Sequence, residues 1–379
     1  MRRTPKPFRS PIYVTRPMLP PLDEYMDELR EVWESQWLTN VGAKHVALER
    51  ALGAFLGTDN VCLFNNGTIA MVTACQALRL SGEVITTPFT FAATPHVLSW
   101  NNITPVFADI DPMAMTLDPG KIEPLITGRT SAILGVHVYG IPCDVAGIQS
   151  VADRHGVRVV YDAAHAFGTR VDGKLVTDFG DASMLSFHAT KLFHTAEGGA
   201  LVVHDPQVKE RVDFLKNFGI QDEVTVLMPG INGKMNELQA ALGLLTLKMV
   251  SREREKRQAI AKVYHERLCE ISGVILPRVD GRIDHSHQYF PIRVDADKAG
   301  QRRDDVFEGL RRYNVYARKY FYPLCSDYSC YRMLPSAHPS YLPVAHIVAS
   351  QVLCLPFYGG LGDDEVHRIC DIIQWLIPG

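Results

Sequence analysis

Between about residues 60 and 205, short apolar and β-branched runs alternate with polar or amphipathic stretches. The runs occupy positions 61–64, 83–86, 104–108, 131–137, 157–162, 182–187 and 199–204. Continuous apolar character, without a period of two, means that both faces of each strand are covered. Several spacers are long enough for a helix, and this predicts an α/β fold with a mostly parallel central sheet flanked by helices.

The pattern changes on either side of this block. Leu22, Tyr25, Met26, Leu29, Val32 and Trp33 fall at helical spacing and predict a helix ahead of the sheet, followed by the turn-like Leu38-Thr39-Asn40-Val41-Gly42. From 236 to 263 a long helical pattern carries Leu238, Ala241, Leu244, Leu245 and Met249, a length suited to bridging two lobes. Beyond it the chain predicts a strand at 287–294, a helix at 303–313, a strand-like run at 350–356 and a final helix at 363–376. The expected organisation is a Pro-rich extended arm (1–20), a large domain (21–249) and a smaller C-terminal α/β lobe (250–379).

Composition narrows the class. The 379 residues are 46% hydrophobic, which is enough for a large core and a second lobe. A net charge of -3 supplies no field to attract nucleic acid or an anionic membrane surface. The Arg/Glu cluster at 252–257 predicts a solvated helix face with internal ion pairs. Eight scattered cysteines, with no CxxC pair, predict buried free thiols in a reducing compartment and no metal site. The basic start lacks a following apolar segment, so no signal peptide or membrane span is expected and the location expected is the cytoplasm.

Candidate chemistry centres on Lys191, in Ser186-Phe187-His188-Ala189-Thr190-Lys191 ahead of Gly198-Gly199. A lysine amine there suits an aldehyde cofactor, and five other features of the sequence suit pyridoxal 5'-phosphate. Asn66, Gly67 and Thr68 link the first core strand to an apolar helical run, so backbone N–H groups at a helix start can meet a phosphate, with an ordinary capped turn as the competing reading. Ser186 can add a hydroxyl. Asp162 ends a strand where open parallel sheets place ligands, and a carboxylate there keeps a pyridine nitrogen protonated; capping the next turn is the alternative. His165 can hydrogen-bond the cofactor's phenolic oxygen or be a satisfied core histidine. Phe91, in Pro88-Phe89-Thr90-Phe91, can cover the cofactor ring or belong to the core.

With Trp37-Leu38-Thr39-Asn40, Val136-His137-Val138-Tyr139-Gly140, Asp162-Ala163-Ala164-His165 and Asn232-Gly233-Lys234-Met235-Asn236-Glu237 added, the chain resembles the DegT/DnrJ/EryC1/StrS nucleotide-sugar aminotransferases from about Ile12 to Leu376. The resemblance implies the aspartate-aminotransferase fold (fold type I) with Lys191 as the cofactor's covalent anchor. It implies that Asp162 pairs with the ring nitrogen and that Gly67, Thr68 and Ser186 hold the phosphate. Asn232 matches the family's asparagine that reaches the phosphate of a neighbouring subunit, which implies a homodimer with shared active sites. Lys234 stands where many relatives have arginine, and His165 where many have glutamine. Lysine rather than histidine at 191 implies transamination rather than dehydration, with L-glutamate as donor. The segments 14–22, 162–168 and 318–324 look most like members that aminate the C4 ketone of dTDP-4-keto-6-deoxyglucose. Amination of a 3-keto-6-deoxyhexose is the alternative, and a cofactor-binding regulator without catalysis is a more distant one.

Overall fold

The computed structural model describes residues 4–278 and 280–377. A seven-stranded sheet is built from β1 (Val61–Phe64), β2 (Glu83–Thr86), β3 (Thr104–Phe107), β4 (Thr130–Val136), β5 (Arg158–Asp162), β6 (Ala182–Ser186) and β7 (Gly199–Val203), in spatial order β1-β7-β6-β5-β4-β2-β3. Neighbours from β6 to β3 run parallel, as the apolar runs predict. β7 alone is reversed, antiparallel to β6 and β1. The cause lies in the β6–β7 connection, which contains no crossover helix. Residues 187–198 instead fold back on themselves, and a parallel return needs a crossover.

Both faces of the sheet are covered. On one, Leu63, Leu185 and Val202 pack with Leu48 and Leu52 of a helix at Ala43–Leu56 and with Ala240 and Val250 of the long helix Glu237–Leu268. On the other, Phe64, Val84 and Leu201 meet Ala70, Met71 and Ala74 of the helix Gly67–Ala77, here α1, and Val97 and Leu98 of Ala93–Trp100, here α2. The long helix, here α3, starts at a capping box in which Asn236 Oδ1 accepts from the Gln239 N–H. It passes from the large-sheet core to a second core, where Ile260, Tyr264 and Leu268 pack on Phe290, Ile292 and Leu353.

That second core covers an antiparallel sheet of Val274–Ile275, Phe290–Val294 and Val352–Leu355, with helices Arg303–Arg312 and Asp363–Leu376. Its central strand begins at Phe290 rather than 287, because His287 adopts a left-handed φ of 54° and interrupts the extended backbone. Residues 350 and 351 finish a helix, Pro343–Gln351, and only Val352–Leu355 is strand. The 252–257 cluster is also more buried than its charge suggests. Arg257 and Glu253 are both buried and paired at 2.8 Å, and Glu253 also accepts from the Gly359 N–H.

The N-terminal segment is tied down rather than free. Ile12–Tyr13 pairs in parallel with Val315–Tyr316, and Phe8 and Ile12 enter the second core. A further cluster joins the two sheets through Phe89 and Tyr139 against Phe321, Leu342 and Val352. All eight cysteines are free, and all but Cys269 and Cys330 are buried. No helix among the described residues is long and apolar enough to cross a membrane.

Candidate active site

The carboxyl ends of β5 and β6 and the start of α1 converge. Asp162 closes β5 as a buried carboxylate, and Thr94 of α2 donates to its Oδ2 at 2.8 Å while the Ala164 N–H donates to Oδ1 at 3.0 Å. Thr90 lies 2.8 Å behind Thr94, hydroxyl to hydroxyl. Burial raises the pKa of Asp162, opposed by the Thr94 and Ala164 hydrogen bonds and by the charge of Lys191.

Lys191 stands on the folded-back β6–β7 loop. Pairs such as Phe187 N–H to Gly198 O (2.8 Å) and Ala189 N–H to Ala196 O (2.7 Å) hold that loop. Gln288 grips it from a remote segment. Its Oε1 accepts from the Leu192 N–H at 2.7 Å and its Nε2 donates to Thr190 O at 2.8 Å, on either side of the lysine. The ring of Tyr289 lies 6.0 Å from Lys191 Nζ. Burial pushes the amine down to about 8, against the pull of Asp162 in the other direction.

His165 is held in one tautomer. The Tyr139 N–H donates to its Nδ1 at 3.1 Å, so the proton of the neutral ring sits on Nε2. Its ring stacks on Phe321 and meets Tyr289 edge-on at 5.0 Å. Burial, and then the nearby lysine charge, hold its pKa well below the usual histidine value, so it presents a neutral N–H donor.

At the anion end, Asn66 caps α1 by accepting from the Ile69 N–H at 2.8 Å. The cap is Asn66 rather than Thr68, whose side chain is exposed. A Cβ on Gly67 would stand 2.8 Å from Met184 Sδ and 3.2 Å from Ser186 Cβ, so the glycine lets the helix start close onto β6 beside the Ser186 hydroxyl. Phe91 is exposed on the loop before α2, with its carbonyl accepting from the Thr94 N–H.

Lys191, Asp162 and His165 therefore come together electrostatically, with Ser186 and Gly67 packed against each other at the neighbouring strand end. Asn232 does not join them. It is exposed on a loop where Lys234 Nζ donates to its Oδ1 at 3.0 Å, and among the described residues no hydrogen bond connects it to Lys191, Asp162 or His165. Thr94, Gln288 and Tyr289 carry no local signal in the sequence, since each acts on a group far away along the chain. Thr90 and Tyr139 lie inside recognisable motifs but gain their roles only through the fold.

The arrangement fits a phosphorylated aromatic aldehyde. It offers a partly desolvated amine, a carboxylate with hydrogen-bonded oxygens, a neutral donor and a glycine-opened helix start beside a hydroxyl. An α/β fold with a lysine on the β6–β7 loop and an aspartate ending β5 defines an aminotransferase of the pyridoxal phosphate class.

Comparison with known proteins agrees. The family model for the DegT/DnrJ/EryC1/StrS aminotransferases matches residues 22–374, and the chain belongs to that family. It is 46% identical over 363 residues to the dTDP-4-amino-4,6-dideoxy-D-glucose transaminase of Escherichia coli, covering 96% of this chain and 98% of that one. The transaminase of the same name from Shigella dysenteriae is 44% identical, with 97% and 99% covered. Among solved structures, DesI in the presence of its TDP-sugar product superposes with a TM-score of 0.93 at 37% identity, covering 98% of this chain and 94% of that one.

Proposed function

We propose that this enzyme transfers the amino group of L-glutamate to the C4 ketone of dTDP-4-keto-6-deoxy-D-glucose, forming dTDP-4-amino-4,6-dideoxy-D-glucose and 2-oxoglutarate. The observation that carries this reading is end-to-end similarity to two transaminases of that name, at 46% and 44% identity, around an intact Lys191–Asp162–His165 group.

When bound, pyridoxal phosphate supplies an electron sink for the negative charge left at the amino-bearing carbon after proton removal. In this reading Lys191 anchors the cofactor. Its Nζ, once free, would carry a proton between the substrate carbon and the cofactor carbon on the far side of the bridging nitrogen, work suited to an amine whose pKa burial brings down to about 8. Asp162, whose pKa burial raises while the Thr94 and Ala164 hydrogen bonds and the Lys191 charge oppose that rise, would hold a positively charged N–H opposite its carboxylate. His165 Nε2–H donates to a phenolate oxygen. Backbone N–H groups of Gly67 and Thr68, with the Ser186 hydroxyl, hold a phosphate dianion at the α1 start. Asn66 shapes that turn through its cap, and Phe91 covers one ring face.

The reading includes a homodimer with shared sites, in which Asn232 serves the phosphate of the other subunit. Exposed Trp37, Leu38, Val41 and Val46 form an apolar face close to the 232–236 loop, because the Glu237 N–H donates to Leu38 O and its carboxylate accepts from the Lys44 and His45 N–H groups. Phe218, Ile220, Val226, Leu227 and Ile231 are likewise exposed beside Asn232. Large apolar areas of this kind mark association surfaces. In the same reading residues 21–249 form the cofactor-binding domain and 250–379 the smaller one.

The test is direct. Purified protein is incubated with pyridoxal phosphate, glutamate and, in parallel, dTDP-4-keto-6-deoxyglucose or its 3-keto isomer, and the products are analysed by mass and NMR. An amine at C4 is expected. An amine at C3, or no transfer to any keto sugar, refutes the assignment.

A further inference from the structure

A cavity of about 570 Å³ lies between α3 and residues 277–291, and none of Lys191, Asp162, His165 or Ser186 lines it. Its wall on one side is a strip of chain read at every second residue. Ile283, His285, His287 and Tyr289 line the cavity. The intervening residues hold the site described above, with Ser286 Oγ donating to His165 O at 2.7 Å and Gln288 bonding on both sides of Lys191. One strip thus lines the cavity and holds the lysine loop, and Tyr289 touches both.

The polar chemistry of the cavity is unspent. His285 Nδ1 accepts from the His287 N–H at 2.7 Å, which puts the proton of its neutral ring on Nε2. No hydrogen bond among the described residues reaches that Nε2, or a ring nitrogen of His265 or His287, all three of which line the cavity. None of these nitrogens is sealed away from solvent, and all three residues line the cavity. Burial lowers the basicity of all three rings, to about 3 for His285 and about 4 for His287. They are neutral donors and acceptors, and no group of three His, Cys, Asp or Glu among the described residues is arranged to hold a metal ion.

Around them the walls are aromatic. His265 meets Phe290 edge-on at 5.3 Å, and His287 meets Phe357 edge-on at 6.4 Å. Lys262 and Glu255 of α3 and Arg278 and Asp280 opposite also line the cavity, two charges of each sign, so it selects neither. Its volume falls in the range of small-molecule sites.

We propose that this cavity is a second binding site, taking an uncharged aromatic heterocycle whose ring nitrogens pair with the imidazoles of His265, His285 and His287. Flat rings suit the aromatic walls, and ring nitrogens can pair with imidazole nitrogens that make no hydrogen bond among the described residues. A ligand seated there orders the 283–289 strip, and Gln288 carries that ordering to the Lys191 loop. This coupling rests on the reading of Lys191 as the cofactor's lysine; the binding site does not.

The test uses the holoenzyme at pH 8, titrated calorimetrically with benzimidazole and with indane, its near-isosteric hydrocarbon. Saturable benzimidazole binding is expected, at least about tenfold tighter than indane, since hydrogen bonds worth over a kcal/mol separate the two. Ala259→Trp, at an exposed α3 position lining the cavity, is expected to abolish binding and leave basal transamination unchanged. His265→Phe keeps the ring on Phe290 and is expected to narrow the gap between benzimidazole and indane, and an unchanged gap removes His265 from the site. No saturable binding to the wild type, unchanged binding to Ala259→Trp, or equal affinity for the two probes overturns the site. Benzimidazole is also expected to shift the pH at which the visible absorbance of the holoenzyme titrates, in the wild type and not in Ala259→Trp. Binding without that shift overturns the coupling. Failure of the sugar assay refutes the proposed function and leaves the calorimetric result standing.

Discussion

Thr94 donates its hydroxyl proton to Oδ2 of Asp162 across 2.8 Å, so a side chain on α2 orients the carboxylate that ends β5. With that proton committed, the 2.8 Å contact to Thr90 runs from the Thr90 hydroxyl to the Thr94 oxygen, making a directed chain toward the carboxylate. Thr94→Val removes the final donor at nearly constant volume. A hydrogen bond to a charged group contributes about 1.5–3 kcal/mol, so cofactor is expected to be held roughly 10- to 100-fold less tightly. Thr94→Ser keeps the hydroxyl and is expected to restore most of the affinity. Dialysis followed by the visible absorbance of retained cofactor measures both, and unaltered retention in Thr94→Val would show that Asp162 needs no such support.

Lys191 sets a pH dependence. An ordinary lysine holds its proton to above pH 10, whereas this amine gives it up near 8. The neutral amine is the form that captures an aldehyde, so uptake of pyridoxal phosphate by cofactor-free protein is expected to quicken with rising pH and level off above about 8. Asp162 favours the charged amine, so Asp162→Asn is expected to move the midpoint to lower pH. Stability follows the same sign. From about 8 to roughly 10.4 the unfolded chain binds the proton that the folded chain has lost, and this group's contribution to the stability of the cofactor-free protein increases with pH across that window. Stopped-flow uptake and denaturant titration across this range check the two statements.

Replacing Lys191 itself has a sharper effect. Lys191→Ala removes both the proposed anchor and the proposed mobile base, and turnover is expected to fall by at least about a thousandfold, in keeping with the size of acid–base contributions together with loss of the covalent step. Product formation followed by mass spectrometry reads this directly.

Gly67→Ala tests the phosphate end. The new Cβ would meet Met184 Sδ at 2.8 Å and Ser186 Cβ at 3.2 Å, forcing the start of α1 off β6. Cofactor affinity is expected to drop by about tenfold or more, while the melting temperature falls by only a few degrees, the shift that a loss of about 1 kcal/mol produces. Equal affinity would mean that the helix start is not the anion site.

Subunit sharing has its own readout. Asn232 lies on an exposed loop with its Oδ1 taken by Lys234, and its amide N–H groups make no hydrogen bond among the described residues. Mixing Asn232→Ala with Lys191→Ala under exchange conditions should restore part of the activity, because a mixed dimer keeps one site with both residues intact. Persistent inactivity in verified mixed dimers would assign Asn232 to its own subunit.

The central strands were legible because their information is local: a continuous apolar run such as 61–64 or 83–86 can be only a covered strand or a buried helix piece, and its length favours a strand. Lys191, Asp162 and His165 stood out because each combines a reactive group with a strand end or a motif. The reversal of β7 was not legible, since it depends on how 187–198 folds. Nor was the burial of Glu253 and Arg257, whose charges pointed to solvent until the fold placed Gly359 against Glu253. His287 likewise sits in a run that looks extended, and its left-handed backbone belongs to the junction between the cavity wall and the lysine loop.

By itself, then, the sequence determined the α/β class, the candidate lysine and carboxylate, and the family to which the chain belongs, because hydrophobic period and motif spacing act over short distances along the chain. Only the tertiary structure decided that Thr94 feeds Asp162, that Tyr139 fixes the tautomer of His165, and that Gln288 clasps the chain on both sides of Lys191. These are contacts between groups 26 to 98 positions apart, and nothing in a local pattern encodes them. They exist because the packed core brings strand ends and loops to one place.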